Sequence, residues 1–284
     1  MIGEALAILS ALMQAISTVL SAKALKNVDP IWSNVIKSFA SAVVMFPIIV
    51  ARGILFGRVN VRADALFFVI LAAIVGFGFG DTFLFKSIVL IGVSRAYTIS
   101  FTSPLFTIIL AMIFLNETFL PRYLVGAIFI VISLAIVSLE LEEEEQKNIN
   151  LRGVIAAIAA ALCWAMGTIL VTLGLRNIDV LLANAIRFPI LALFLFIISE
   201  PRKKRRVSGR DFMLLSISGV IGMVFGGIAF LLSIQLIGAS RASPLNASSP
   251  VLASIISKAF LKEKVTFRLI LSSIFIIIGI YFLV

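Results

Sequence analysis

The chain has 284 residues, 61% of them apolar and 13% charged, with a net charge of +10 and no histidine; its mean hydropathy is +1.17. A soluble domain is about 45–50% apolar and about 25% charged, and a globule of this size cannot hide so much apolar surface from water. A soluble enzyme, a nucleic-acid-binding domain and a disordered regulator are excluded, which leaves a polytopic membrane protein with its positive charge in loops at the membrane surface.

A spanning helix needs about 20 mostly apolar residues. Reading for such runs, and breaking them at charges, prolines and Asn/Asp clusters, predicts ten: 3–25, 31–51, 64–92, 95–115, 120–139, 151–175, 180–199, 211–238, 241–261 and 265–284. All are read as helices, because unpaired backbone in lipid costs several kcal/mol per group. The alternating ten-residue segments of a β-barrel are missing. The first run is not read as a cleaved signal, since its early charge is Glu4 rather than Lys or Arg. Two connections carry charge runs, the acidic 140–150 and the basic stretch from Arg202 to Arg206, and both read as solvated loops. The basic one also suits anionic lipid headgroups. The single cysteine, Cys163, forms no intramolecular disulfide. Without histidine, the usual zinc ligands and imidazole relays are missing as well, and no cofactor or metal site is read.

The chain repeats itself. Ser87–Ala96 recurs as Ser233–Ala242, 146 residues on, and the register holds through Pro104/Pro250 and Glu117/Glu263. Nearer the start of each half the offset becomes 150, pairing Asn27/Asn177, Asp29/Asp179, Asn34/Asn184 and Lys37/Arg187. The predicted architecture is two five-helix repeats, 1–139 and 151–284, joined by the connection 140–150. Five spans is an odd number, so the second copy enters the membrane from the opposite side. Inverted repeats of this kind are a recurrent architecture of alternating-access transporters, with the substrate site at the repeat interface near the midplane.

These residues bring the sequence to a family it resembles, the ten-span EamA-like branch of the drug/metabolite transporter superfamily. The resemblance rests on the cations early in spans two and seven (Lys37, Arg187). It rests also on the small residues leading to proline in spans four and nine (Ser94–Pro104, Ser240–Pro250), and on the closing Leu115-Asn116-Glu117 and Leu261-Lys262-Glu263. Trp164-Ala165-Met166-Gly167 is similar to the family's Trp-containing first span, whereas the first copy has Gln14-Ala15-Ile16-Ser17 in its place. The resemblance implies a secondary transporter of small molecules, with the position of Lys37 and Arg187 lining or supporting the cavity.

Ionisable groups at membrane depth are expensive, so each is a functional candidate by default. The cations singled out inside predicted spans are Lys37, Lys86, Arg187 and Lys258. One carboxylate, Asp81, lies near the middle of a span, after the glycine-rich Gly76-Phe77-Gly78-Phe79-Gly80. It is the candidate for proton coupling; the structural alternative is a fixed ion pair with Lys86, Lys37 or Arg187. Its repeat partner is Gly227, so coupling would be carried by one half. Lys37 and Arg187 either attract an anionic substrate group or hold neighbouring carbonyls and snorkel. Lys258, one turn before Lys262, reads as a snorkelling cation. Glu117 and Glu263 close spans four and nine, where a carboxylate opposes the helix dipole. A latch or gate contact compensated by Arg122 and Arg268 is the expectation there. Pro104 and Pro250 hinge or kink those spans. Gln14, Asn34, Tyr97, Ser100, Trp164, Asn184, Asn246 and Ser249, with Ser17, complete the polar groups that would line a substrate site or bond helices together.

Loop Lys and Arg favour the face opposite the two termini, but the excess comes mostly from Arg202 to Arg210, and the resemblance implies the reverse orientation. The sidedness therefore stays open. The functional reading is a secondary transporter, an exporter of a small metabolite or xenobiotic with an amino acid among the candidates, that meets lipid and, through spans five and ten, lipid or a second copy. The alternatives are a membrane enzyme acting on lipid-linked substrates, for which no catalytic set stands at membrane depth, and a scaffold without flux.

Overall fold

A computed structural model describes residues 1–25, 27–51, 61–141, 150–199, 207–261 and 266–284, with backbone alone at 93–94, 137–141 and 257–261. The described residues are helical, without strands. The helices are α1 (Ile2–Ala24), α2 (Pro30–Ala51), α3 (Ala63–Ala72), α4 (Gly80–Ile91), α5 (Val93–Ser100), α6 (Ser103–Leu110) and α7 (Pro121–Leu141). They continue with α8 (Leu151–Gly174), α9 (Val180–Ile198), α10 (Gly209–Gly219), α11 (Gly227–Ile237), α12 (Ala239–Asn246), α13 (Ser249–Leu261) and α14 (Phe267–Leu283). Among the described residues seven helical stretches are long and apolar enough to cross a membrane: Ile2–Ala24, Pro30–Ala51, Ala63–Ile91, Arg95–Leu115, Leu151–Gly174, Val180–Ile198 and Gly209–Ile237. Pro121–Ile136 and Phe267–Leu283 are apolar but shorter. This is an integral membrane protein.

Local chemistry explains the helix starts. The repeat-equivalent Asp29 and Asp179 both cap: Asp29 Oδ1 accepts from the Ile31 and Trp32 amides, and Asp179 Oδ1 from the Leu182 amide. Ser208 and Thr266 cap α10 and α14 through the amides of Asp211 and Leu269. Each satisfies a donor that the first helical turn leaves unpaired.

Where the sequence predicts one uninterrupted helix, the structure breaks it, and it breaks both halves alike. A seven-residue π-helical segment joins α3 to α4 (Ala73–Phe79), and another joins α10 to α11 (Val220–Gly226). The chain then turns sharply at Gly92 (φ 85°, ψ 163°) and at Gly238 (φ 79°, ψ 163°), a conformation that side chains other than glycine's rarely adopt. The predicted spans 95–115 and 241–261 are likewise each divided, α5 from α6 at 101–102 and α12 from α13 at 247–248. Pro104 and Pro250 occupy the second position of α6 and α13 rather than a helix interior. There the missing N–H has no intrahelical partner to lose.

The halves are interlocked. The first helix of one half packs on the broken helices of the other: α1 lies against α10 to α13, and α8 against α3 to α6. Small residues make this close packing available, as is usual where helices meet in lipid. Ala7, Ala11 and Ala15 of α1 and Ala157, Ala160, Ala161 and Ala165 of α8 are fully buried. A Cβ on Gly167 would fall 2.6 Å from the Gly76 Cα, and one on Gly222 would fall 2.6 Å from the Ser17 hydroxyl, so the repeat-related contacts match. Helix α2 packs on α9 and α7 on α14. Large apolar side chains such as Phe39, Phe46, Phe67, Leu193, Ile197 and Ile277 point outward, as they do in contact with lipid. The termini share one face, where Arg241 of α12 holds Glu4 of α1 at 2.5 Å and the carbonyls of Leu283 and Val284 at 2.7 and 3.1 Å.

Because backbone atoms of Gly76 and Ala72 surround Gly167, a larger residue there has no flexible neighbour to displace. Gly167→Val is expected to cost about 1–3 kcal/mol, read as a lowered unfolding midpoint of the purified protein; an unchanged midpoint would refute the close contact.

Candidate functional site

Asp81 is the second residue of α4, immediately after the π-helical segment. Its Oδ2 accepts from Asn34 Nδ2 of α2 at 2.8 Å, and its Oδ1 accepts from Trp164 Nε1 of α8 at 3.0 Å. Gly80 makes the second bond available: a Cβ there would fall 2.7 Å from the indole nitrogen, so any other residue would push the Trp164 ring away. Neither Asp81 oxygen forms an ion pair within 4.0 Å with a described residue. Of the expected ion partners, Lys86 is exposed and Arg187 lies elsewhere, while Lys37 interacts with Asp81 electrostatically without contact. Asp81 is thus held by two neutral donors, one from each half, and not by the fixed ion pair that was the alternative. The side chain of Lys258 lies outside the described residues.

Beside the carboxylate stands an aromatic wall. Trp164 meets Phe101 edge to face with ring centres 5.4 Å apart, and Phe101 stacks on Tyr97 at 5.7 Å. Tyr97 is close enough to interact electrostatically with Asp81. The sequence reading named Trp164 and Tyr97; Phe101, which joins them, was lost among many phenylalanines.

A second cluster lies on α9. Arg187 and Asn184 are buried, at 7% and 0% exposure. Arg187 Nη1 donates to Asn184 Oδ1 at 3.3 Å, and the guanidinium carbon sits 5.0 Å from the centre of the Phe77 ring. This cation–π contact adds some stabilisation to a charge kept from water. Arg187 Nε and Asn184 Nδ2 have no hydrogen-bond partner among the described residues.

The remaining candidates divide between packing and neither cluster. Gln14 Nε2 donates to the Gly222 carbonyl at 3.3 Å, and Ser10 Oγ to the Gly226 carbonyl at 2.8 Å. Both serve the π-helical segment 220–226, whose carbonyls need partners once the α-helical ladder is interrupted. Ser100 Oγ donates to the Ala157 carbonyl at 3.2 Å and so ties α5 to α8. Among the described residues the Asn246 side-chain oxygen is buried without a hydrogen-bond partner, as is the Ser17 hydroxyl beside Gly222. Ser249 begins α13. No described contact joins Asn246 or Ser249 to Asp81 or Arg187.

Glu117 meets partners different from those expected. Its carboxylate accepts from the Ala239 and Ser240 amides at 2.7 and 3.0 Å and from the Ser240 hydroxyl at 2.5 Å. The free N-terminus of α12 therefore compensates it, and Arg122 instead lies over the Tyr123 ring. A helix N-terminus carries the partial positive charge that such a carboxylate needs. Glu263 lies outside the described residues. Glu4, in the first turn of α1, is also buried and pairs with Arg241 of α12. Among the described residues no group of three or more Cys, Asp or Glu is gathered.

The EamA-like transporter family matches the chain twice, over residues 1–139 and 151–284. An uncharacterized transporter of Archaeoglobus fulgidus is 26% identical over 257 residues, spanning 90% of this chain and 88% of its own length. A protein of known crystal structure superposes with a TM-score of 0.79 over 99% of this chain and 97% of its own, at 16% identity, a likeness of fold alone.

Replacing Glu117 by Gln removes the charge at the α12 N-terminus and turns an amide donor toward backbone donors. The expected loss is about 1–3 kcal/mol in thermal unfolding, with Ser240→Ala losing less. For Trp164→Phe, which leaves Asp81 Oδ1 without its donor, about 1.5–3 kcal/mol is expected; no loss would mean that Trp164 does not hold the carboxylate.

Proposed function

The chain belongs to the EamA-like transporter family, and from that premise we propose that it is a secondary transporter exporting a small metabolite or xenobiotic by alternating access, with an amino acid among the candidates. In this reading ten spans form two inverted five-helix repeats, 1–139 and 151–284, joined by the acidic connection 140–150. The helix breaks at equivalent places in both halves, and the exchange of α1 and α8 between them, support that arrangement. The substrate site is then at the interface of the repeats, lined by the Asp81 and Arg187 clusters and the Tyr97–Phe101–Trp164 wall. The outer faces of α7 and α14 meet lipid or a second copy of the chain.

The observation that carries the mechanism is the pair of hydrogen bonds that Asp81 accepts across the halves, from Asn34 on one side and Trp164 on the other. An ionised carboxylate accepts both hydrogen bonds. A proton on one oxygen gives it an O–H and leaves only a neutral, weaker acceptor toward the N–H it faces, so one of the two links is weakened. Binding and release of a proton at Asp81 would in this way loosen and restore the tie between α4 and either α2 or α8, coupling a proton gradient to the movement of the halves. Lys37 supplies the positive field that keeps the carboxylate compensated when the proton is gone.

The test is counterflow of labelled amino acids and nucleosides in proteoliposomes, with and without an imposed proton gradient, alongside Asp81→Asn. Gradient-driven accumulation is expected to fall at least tenfold in the variant while counterflow persists. Accumulation that survives the substitution would remove coupling from Asp81. Absence of flux for every compound would count against transport itself.

A further inference from the structure

The two halves bring the same donors to the site but not the same acceptor. On α2, Asn34 donates to the carboxylate of Asp81, and Lys37 lies within its field. On α9, Asn184 and Arg187 occupy the equivalent positions, and Gly227 at the start of α11 stands where Asp81 stands in the first half. The spatial relation is kept: a side chain at Gly227 would begin 3.2 Å from Asn184 Nδ2, the counterpart of the nitrogen that Asp81 engages. Among the described residues, no acceptor is offered there: Asn184 Nδ2 and Arg187 Nε are both buried without a hydrogen-bond partner, on residues one helical turn apart.

A buried donor without an acceptor is costly, and on a guanidinium at membrane depth the cost is larger. Phe77 and the Asn184 oxygen are the neighbours that offset the Arg187 charge, and both are neutral. The first half solves the same problem with an acid of its own.

We infer that Arg187 and Asn184, beside Gly227, form the subsite for a carboxylate on the transported compound, which takes there the part that Asp81 plays in the first half. The inference rests on the transporter reading above and narrows its substrate to compounds bearing one carboxylate. Charge sets that number. Arg187 is one uncompensated cation, whereas Lys37 already faces Asp81, so a single negative charge balances the cluster and a doubly charged phosphate would exceed it. Geometry agrees, because the guanidinium presents donors in a planar fork that matches two carboxylate oxygens, and the Asn184 amide adds a further donor. At Gly227 a Cβ would stand 3.2 Å from Asn184 Nδ2, so glycine keeps a side chain off that donor.

The probe is sodium acetate, compared with equal sodium chloride and with acetamide, in thermal unfolding of the purified full chain. Acetate is expected to raise the midpoint by about 2–4 °C over both controls. The shift should disappear in Arg187→Gln. It should also disappear in Gly227→Asp, which supplies the acid from within and is expected to unfold at a higher temperature than the starting protein even without acetate. If Arg187→Gln does not fold, Gly227→Asp carries the test. Equal shifts with acetate and acetamide, or an acetate shift that survives in Gly227→Asp, would overturn the subsite. Counterflow separates the two readings: flux without a carboxylate effect removes the subsite and leaves the transporter, whereas a carboxylate effect without flux of any compound leaves the anion site and removes transport.

Discussion

At membrane depth there is no water to complete a hydrogen bond, so every polar atom must find its partner within the chain or bear the cost. Much of the internal arrangement follows from that constraint. The π-helical segments interrupt the backbone ladder in the middle of two long helices, and side chains from α1 reach across to the carbonyls of 222 and 226. Thr82 does the same within its own helix for the carbonyl of Gly78. The glycines in these segments let the neighbouring helix approach until backbone meets backbone, as between Gly76 and Gly167. Irregular backbone, small residues and side-chain caps therefore occur together, and they occur where the charged residues are.

The same constraint separates the halves. Asp81, Asn34 and Trp164 form a satisfied group in which a carboxylate has a donor for each oxygen. Asn184 and Arg187 form the corresponding group with donors left unpaired among the described residues. The two halves of the chain thus hold one polar cluster with a donor for each carboxylate oxygen and another whose donors exceed its acceptors.

Toward the face that carries the termini, two ionic contacts close the structure. Glu117 at the end of one broken helix pair holds the N-terminus of α12, and Arg241 on that helix holds Glu4 of α1 together with the last carbonyls of the chain. Helix α12 is therefore fastened at its first turn to elements from both halves. The sharp turn at Gly238 places its amides against the Glu117 carboxylate, within about 3 Å of where any other residue's Cβ would stand.

Much of this was legible in the sequence. Composition and apolar run lengths determine an all-helical membrane protein, because lipid permits little else to an apolar chain of this kind. The register of Asp81/Gly227, Asn34/Asn184 and Lys37/Arg187 also picked out candidate polar positions, since charges are costly in lipid, and the structure brings Asn34 to Asp81 and Asn184 to Arg187. Partners were another matter. Asp81 could have paired with any of three cations, and instead took the Asn34 amide and the Trp164 indole, because Gly80 admits the indole and Lys86 points outward. Glu117 found backbone amides rather than Arg122, since a helix that starts at Gly238 exposes its own donors. The breaks at 73–79 and 220–226 carry no periodic signal, and they lie against α8 and α1 respectively. Sequence thus determined which polar groups lie within the helices; the tertiary structure alone decided which of them are buried and which meet, because burial and hydrogen bonding depend on distances between helices far apart in the chain.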